Sequence, residues 1–349
     1  MFQGARGTQM SAEPDYAAAM AGLRYVSDED TPGIRRIRQG NGFIYRAPGG
    51  RVVRNPALIR RMRALAIPPA WTSVWISPDP KAHIAATGRD AKGRKQYRYN
   101  PKFLETRGRA KFNHLIAFAE SLPKIRKAVE MHLRLRGMPR EKVLATVIAL
   151  LEQTLIRIGN RGYVKENGSF GLTTLRNDHV HIQGSELRFL FKGKSGRTWR
   201  LSIRNARVAR IMRACQELPG QQLFQYLAED GSPQCITSSD VNDYLRAVSG
   251  SDVTAKDFRT WAATVEAALA FHALQGPPLK KNVRDVIAQV AEKLGNTATI
   301  CRKCYVHPMI ISAYERGELL LSKGANKGAS GLDGAEWAVL RLLKSRGAE

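Results

Sequence analysis

The chain has 349 residues, a formal net charge of +26 and a sequence pI near 10.4. An apolar fraction of 43% can bury proper cores, that length fits two or three domains, and 25% charged residues exclude a disordered basic tail. No run approaches the roughly 18 apolar residues that span a membrane, and four cysteines do not make a disulfide framework in a chain this long. A basic excess carried by folded segments attracts a polyanion, so nucleic acid is the expected partner. Nothing in the first 30 residues reads as a secretory signal, because Asp15, Asp28, Glu29 and Asp30 interrupt any apolar core. An intracellular protein in a reducing compartment is expected.

Residues 1–30 are small, polar and mixed, and read as a loosely ordered lead-in. From 31 to about 107 the pattern is short strands and turns, which predicts a compact β-rich domain. Strands are expected at 43–47, 71–76, 83–87 and 96–99, with a helix at 56–65. A basic loop at 89–95 carries Lys92, Arg94 and Lys95 beside Gly88 and Gly93. The polar stretch 103–111 is the expected boundary, and the second domain, 108–349, is mostly helical. Residues 141–158 place Val143, Val147, Leu150, Leu151, Thr154 and Ile158 at helical spacing, with Arg157 at the end of that helix. Strands are expected next at 179–182, 187–192 and 198–203, so that Lys194 in Gly-Lys-Ser-Gly falls on a hairpin tip. Helices follow at 205–217, 239–248 with a serine N-cap, 258–274, 283–294 and 337–344. The segment 323–334 is rich in Gly, Ser and Ala.

The chemistry centres on Cys-Arg-Lys-Cys-Tyr-Val-His-Pro at 301–308 and Lys-Asp-Phe-Arg-Thr at 256–260. A phenol among cations is a way to attack a phosphodiester. Tyrosine alone is a poor nucleophile, with an ordinary pKa near 10, and guanidinium neighbours favour the phenolate as it forms. Arg157, Lys194, Arg259 and Tyr305 form the candidate set, with Asn296 nine residues before Tyr305. Gly-Lys-Ser-Gly lacks the spacing of a phosphate-binding P-loop. The Cys301/Cys304 pair has no second pair at matching spacing for zinc, and His179 and His181 read as strand residues. No metal site and no cofactor are expected. His307 lies close to Tyr305 and reads as structural, as do Trp71 and Trp75.

The motifs Pro69-Ala70-Trp71-Thr72-Ser73-Val74-Trp75-Ile76-Ser77, Ala86 to Tyr99, Arg157-Ile158-Gly159 and Tyr163 to Asn167 join those around Arg259 and Tyr305 in a specific order and spacing. In them the chain resembles the compact type IB DNA topoisomerases of bacteria and poxviruses, a branch of the tyrosine recombinase superfamily, from about residue 30 onward. The resemblance implies an α+β protein shaped as a bilobed clamp on double-stranded DNA, acting as a monomer in the cytoplasm, with the nucleoid. It implies relaxation of supercoils by single-strand cleavage, strand rotation and religation, without ATP or metal. Tyr305 would form a 3′-phosphotyrosine, Arg157 and Arg259 would bind the non-bridging oxygens, and Lys194 would protonate the leaving 5′-oxygen. Asn296 stands where poxvirus enzymes carry histidine and can only donate a hydrogen bond to the phosphate. Gln96, Tyr97, Tyr99 and Tyr163, with Lys256, match DNA-contacting positions. The alternative is a tyrosine site-specific recombinase or integrase. Lys256, where recombinases usually place histidine, Asn296 and the N-terminal β domain argue against it.

Overall fold

The structure is a computed structural model that describes residues 14–321 and 331–346. The architecture is α+β, and the chain divides into two compact units, Met1–Asn113 and His114–Glu349. Among the described residues no helix is long and apolar enough to cross a membrane.

The first unit opens with α1 (Pro14–Met20), β1 (Ile34–Gln39), β2 (Gly42–Arg46) and α2 (Pro56–Ala64). It continues with β3 (Thr72–Ile76), β4 (Ile84–Arg89) and β5 (Lys95–Tyr99). The five strands form an antiparallel sheet in the order β2-β1-β3-β4-β5. Its core is Ile34, Tyr45, Met62, Val74, Ile76 and Ala86. α2 starts where the Asn55 side chain accepts from the N–H groups of Ala57 and Leu58, with Pro56 in the first turn. β1, Ile-Arg-Arg-Ile-Arg-Gln, is absent from the sequence expectation because its arginines mask the alternation. Arg36 nonetheless belongs inside the unit: its guanidinium donates to the carbonyls of Ile67, Pro68 and Trp71, each at 2.9 Å.

The lead-in reading needs correction for residues 14–30. Ala17, Ala18 and Leu23 pack with Phe103 in a cluster of their own. The Arg24 N–H donates to the Lys81 carbonyl at 2.8 Å, and the His83 N–H donates back to Arg24 at 2.9 Å. Small alanines look unstructured in a sequence, yet here they let a short helix approach an aromatic ring closely. Residues 1–13 lie outside the described residues, as does 322–330, which takes in most of the Gly/Ser/Ala segment.

The division between the units falls within α3 (Pro101–His132), just past the polar stretch 103–111 where the sequence places the boundary. The second unit continues with α4 (Arg140–Thr154), α5 (Arg161–Asn167) and the antiparallel strands β6 (Val180–Gln183), β7 (Glu186–Lys192) and β8 (Thr198–Arg204). Next come α6 (Ala206–Gln216), the small pair β9 (Gln225–Leu227) and β10 (Pro233–Cys235), and α7 (Ser238–Ser249). The cap of α7 is Thr237, not a serine: it forms a capping box with Asp240. The chain closes with α8 (Ala255–His272), α9 (Lys280–Leu294), α10 (Ala298–Cys304), α11 (Pro308–Glu315) and α12 (Gly334–Arg346).

α4 and α8 are buried around most of their circumference and pack against each other, as helices apolar on all sides must. α12 is fastened beside them by charge. Arg126 donates to both Glu336 carboxylate oxygens at 2.8 Å and to Glu152 at 2.7 Å, and the Trp261 indole donates to Glu336 at 3.1 Å. Glu336→Ala would leave Arg126 with only Glu152 and the Gly331 carbonyl among the described residues. We expect a loss of about 2 kcal/mol in urea unfolding, below the roughly 3–5 kcal/mol of a fully buried pair because Arg126 keeps some solvent contact. An unchanged unfolding midpoint would contradict this role.

Candidate active site

α8 begins with a second capping box. The Asp257 carboxylate accepts from the Thr254 N–H at 2.8 Å and from its hydroxyl at 2.9 Å. This start sets Arg259 on a face that is almost fully buried, at 3% exposure. One guanidinium nitrogen, Nη2, donates to the Leu294 carbonyl at 2.7 Å, using an acceptor left over at the C-terminus of α9. α9 itself stops at Gly295, whose φ of +63° is left-handed, and the Asn296 N–H returns to the Ala291 carbonyl at 2.9 Å. That turn presents Asn296 beside Arg259.

Arg157 arrives from elsewhere than expected. α4 ends at Thr154 because Leu155 takes a left-handed conformation, φ +55°, so Arg157 lies in the extended segment that follows rather than in the helix. Backbone bonds hold this segment: the Leu172 N–H donates to the Arg157 carbonyl at 2.8 Å and the Thr173 N–H to Ile158 at 2.7 Å. The guanidinium donates to the Gly295 carbonyl at 3.2 Å and to the Asn296 side-chain oxygen. Sequence-distant Arg157, Arg259 and Asn296 therefore meet at one helix end.

Tyr305 closes the group. It caps the C-terminus of α10, its N–H donating to the Cys301 carbonyl at 2.9 Å. The Arg259 guanidinium sits 5.4 Å from the centre of its ring, at cation–π distance. Burial first, and then the nearby Arg157, push the Arg259 pKa down to about 10, with Tyr305 partly offsetting them. Burial likewise lowers Arg157, again opposed by Tyr305. Both guanidiniums stay charged at neutral pH. Three buried donors here, Arg259 Nε and Nη1 and Asn296 Nδ2, have no hydrogen-bond acceptor among the described residues. Buried donors are nearly always paired, so three unpaired ones beside two cations mark a site shaped for an oxyanion.

One contributor is invisible in the sequence. The Thr264 hydroxyl, on α8, lies 2.8 Å from the Thr260 carbonyl and 3.2 Å from that of Tyr305, sharing its one proton between them, and accepts from the His307 N–H at 3.2 Å. It pins the backbone on both sides of Val306, but a threonine within an apolar helix reads as ordinary core. His307 is placed structurally, its Nδ1 accepting from the Met309 N–H at 3.1 Å at the start of α11. Cys301 is buried, which pushes its thiol up to about 11.

The other expected residues are more dispersed. Lys194 is exposed on the tip of the β7–β8 hairpin, its Nζ 5.7 Å from the ring centre of Tyr163, which is 52% exposed on α5. Lys256 is exposed in the first turn of α8. In the first unit Tyr97 is 42% exposed and stacks on Tyr99 at 5.7 Å. Tyr99 stacks in turn on Phe103 at 5.5 Å, so much of its surface is already covered. Gln96 donates to Asp90 at 3.0 Å and braces the 90–94 turn. Lys95, beside Tyr97, is held by Asp28 at 2.9 Å and Glu29 at 3.0 Å.

The family described as eukaryotic DNA topoisomerase I, catalytic core, matches residues 100–319, and the N-terminal domain of bacterial DNA topoisomerase IB matches residues 42–90. DNA topoisomerase 1B of Acanthamoeba polyphaga mimivirus is 32% identical over 324 residues, covering 90% of this chain and 95% of the viral protein. DNA topoisomerase 1B of Vaccinia virus (strain Copenhagen) is 24% identical over 234 residues, 64% of this chain and 70% of the relative. DNA topoisomerase I of Monkeypox virus matches to the same extent, at 24% identity over 234 residues.

Proposed function

The chain belongs to the type IB DNA topoisomerases, enzymes that act on double-stranded DNA, and from that premise we propose the roles of its own residues. Tyr305 is the nucleophile. Its phenol oxygen forms a bond to phosphorus, its proton passes to water, and the bond from phosphorus to the 5′-oxygen breaks. The product is a 3′-phosphotyrosine and a 5′-hydroxyl whose proton comes from Lys194. Arg157, Arg259 and the Asn296 amide hold the non-bridging oxygens and stabilise the charge that grows on them in the transition state. Religation is the reverse, and it needs no nucleotide because the phosphotyrosine diester keeps the energy of the broken bond. Supercoiling drives strand rotation in between.

The observation that carries this reading is the buried Arg259 guanidinium, the half-buried Arg157 and the unpaired donors gathered around the Tyr305 ring. Tyr97, Tyr163 and Lys256 are exposed and suited to DNA, with Tyr99 and Gln96 supporting from behind. The enzyme acts as a monomer in the cytoplasm, with the DNA it relaxes. Its test is relaxation of negatively supercoiled plasmid in EDTA without ATP, at a rate linear in protein concentration. Relaxed single plasmids support the reading; recombined multimers would favour the recombinase alternative.

Affinity for duplex DNA should rest mainly on phosphate contacts, given a net charge of +26. Between 50 and 200 mM NaCl we expect binding to weaken about 10³-fold or more, a log–log slope near −5 or steeper. A slope shallower than about −2 in a fluorescence-anisotropy titration would mean that few phosphates are engaged.

A further inference from the structure

The hairpin that carries Lys194 has to be seated against the phosphate-binding cluster, and one aromatic residue stands between the two. β7 and β8 pair up to Lys192 opposite Thr198, and the tip is closed by the Gly193 N–H donating to the Arg197 carbonyl at 2.7 Å. Within this hairpin the Trp199 ring lies parallel to Phe191, 6.2 Å between centres. Its faces and edges are used elsewhere too. A Cβ placed on Gly193, next to Lys194, would come within 2.6 Å of the indole, and one placed on Gly295, next to Asn296, within 2.7 Å. A single indole thus fills the space over both glycines. Arg197 adds a second tie, donating to the Glu292 carbonyl at 2.9 Å in the last turn of α9. Gly295 in turn offers its carbonyl to Arg157.

We propose that Trp199 is a positioning residue that seats the Lys194 hairpin on the end of α9 and so aligns the general acid with the phosphate site. The proposal rests on the general-acid role given to Lys194. The contact path runs from Lys194 through Gly193, Trp199 and Gly295 to Arg157 and Asn296, and each step is a neighbour in sequence or a close packing contact. Beside it, a cavity of about 390 Å³ lined by Gln153, Thr154, Glu292 and Lys293 gives the hairpin room to shift once the indole is lost. Proton transfer to the 5′-oxygen needs hydrogen-bond reach, and a displacement of about 1 Å can cost roughly 100-fold.

The test is single-turnover cleavage of duplex DNA whose scissile phosphate carries either the normal 5′-oxygen or a bridging 5′-sulfur. A thiolate leaves without protonation, so sulfur removes the need for the acid alone. Lys194→Ala, Trp199→Ala and Gly193→Ala are compared with the unaltered protein. Gly193 has φ −95°, open to alanine, so the added Cβ disturbs the indole contact and not the backbone. We expect all three variants to cut the oxygen substrate slowly, Trp199→Ala by about 100-fold, and all three to recover to within about tenfold on sulfur. Recovery of Lys194→Ala with Trp199→Ala and Gly193→Ala still slow would overturn the seat and leave the general acid standing. So would cleavage of the oxygen substrate at the unaltered rate by both of those variants. Failure of sulfur to rescue Lys194→Ala would overturn the general-acid reading, and the seat with it.

Discussion

Tyr305→Phe is expected to lose relaxation activity by at least about 10⁴-fold, the scale on which removal of a nucleophile acts, while its affinity for duplex DNA stays within about twofold of the unaltered protein. The substitution deletes one oxygen. The ring remains beneath the Arg259 guanidinium and the backbone bonds to Cys301 and Thr264 are untouched, so the fold has no reason to shift, and the cations lose only the phenol oxygen that faces Arg157 and Arg259. What disappears is the only atom the mechanism joins to phosphorus. Relaxation by the Phe variant within tenfold of the parent would place the nucleophile elsewhere.

Arg259→Ala carries the second-largest expected effect, a fall of about 10²–10³-fold in the single-turnover cleavage rate, by analogy with loss of one oxyanion donor. DNA binding should change little, because many surface cations remain to meet the backbone. Arg259→Lys should be nearly as slow. A guanidinium can reach the Leu294 carbonyl with one nitrogen and keep two others for phosphate, whereas an ammonium is a single point charge on a flexible stem. Cleavage by Arg259→Lys at the parental rate would show that charge alone suffices and that the fixed geometry at the end of α9 is not used.

The sequence was most readable where local chemistry agrees with final burial. β7 alternates buried and exposed residues along its length, and the Gly-Lys-Ser-Gly turn follows it directly, so the hairpin bearing Lys194 could be placed in advance. α2 announces itself through Asn55 and Pro56. β1 does not, because three arginines occupy a strand, and Arg36 finds its hydrogen-bond acceptors in carbonyls of a loop some 30 residues away. The end of α4 was misplaced by four residues, from Thr154 to Ile158, since a leucine in left-handed conformation has no signature in propensity. At the site, the identity of Tyr305, Arg157, Arg259 and Asn296 followed from the resemblance, but their meeting at the capped end of α9 is a tertiary fact. Thr264 and Trp199 were missed for the same reason: each is a single residue whose pattern is that of core, and only its neighbours in space give it a second use.

The central claim is that this chain breaks DNA through Tyr305 and keeps the 3′ end. Its most direct test is to stop a cleavage reaction with detergent, digest the DNA and the protein, and identify the modified peptide by mass spectrometry. The account predicts a nucleotide 3′-phosphate esterified to Tyr305 in the 303–316 region, with a free 5′-hydroxyl on the other DNA end. An adduct on any other residue, or a protein linked to the 5′ end, would contradict it.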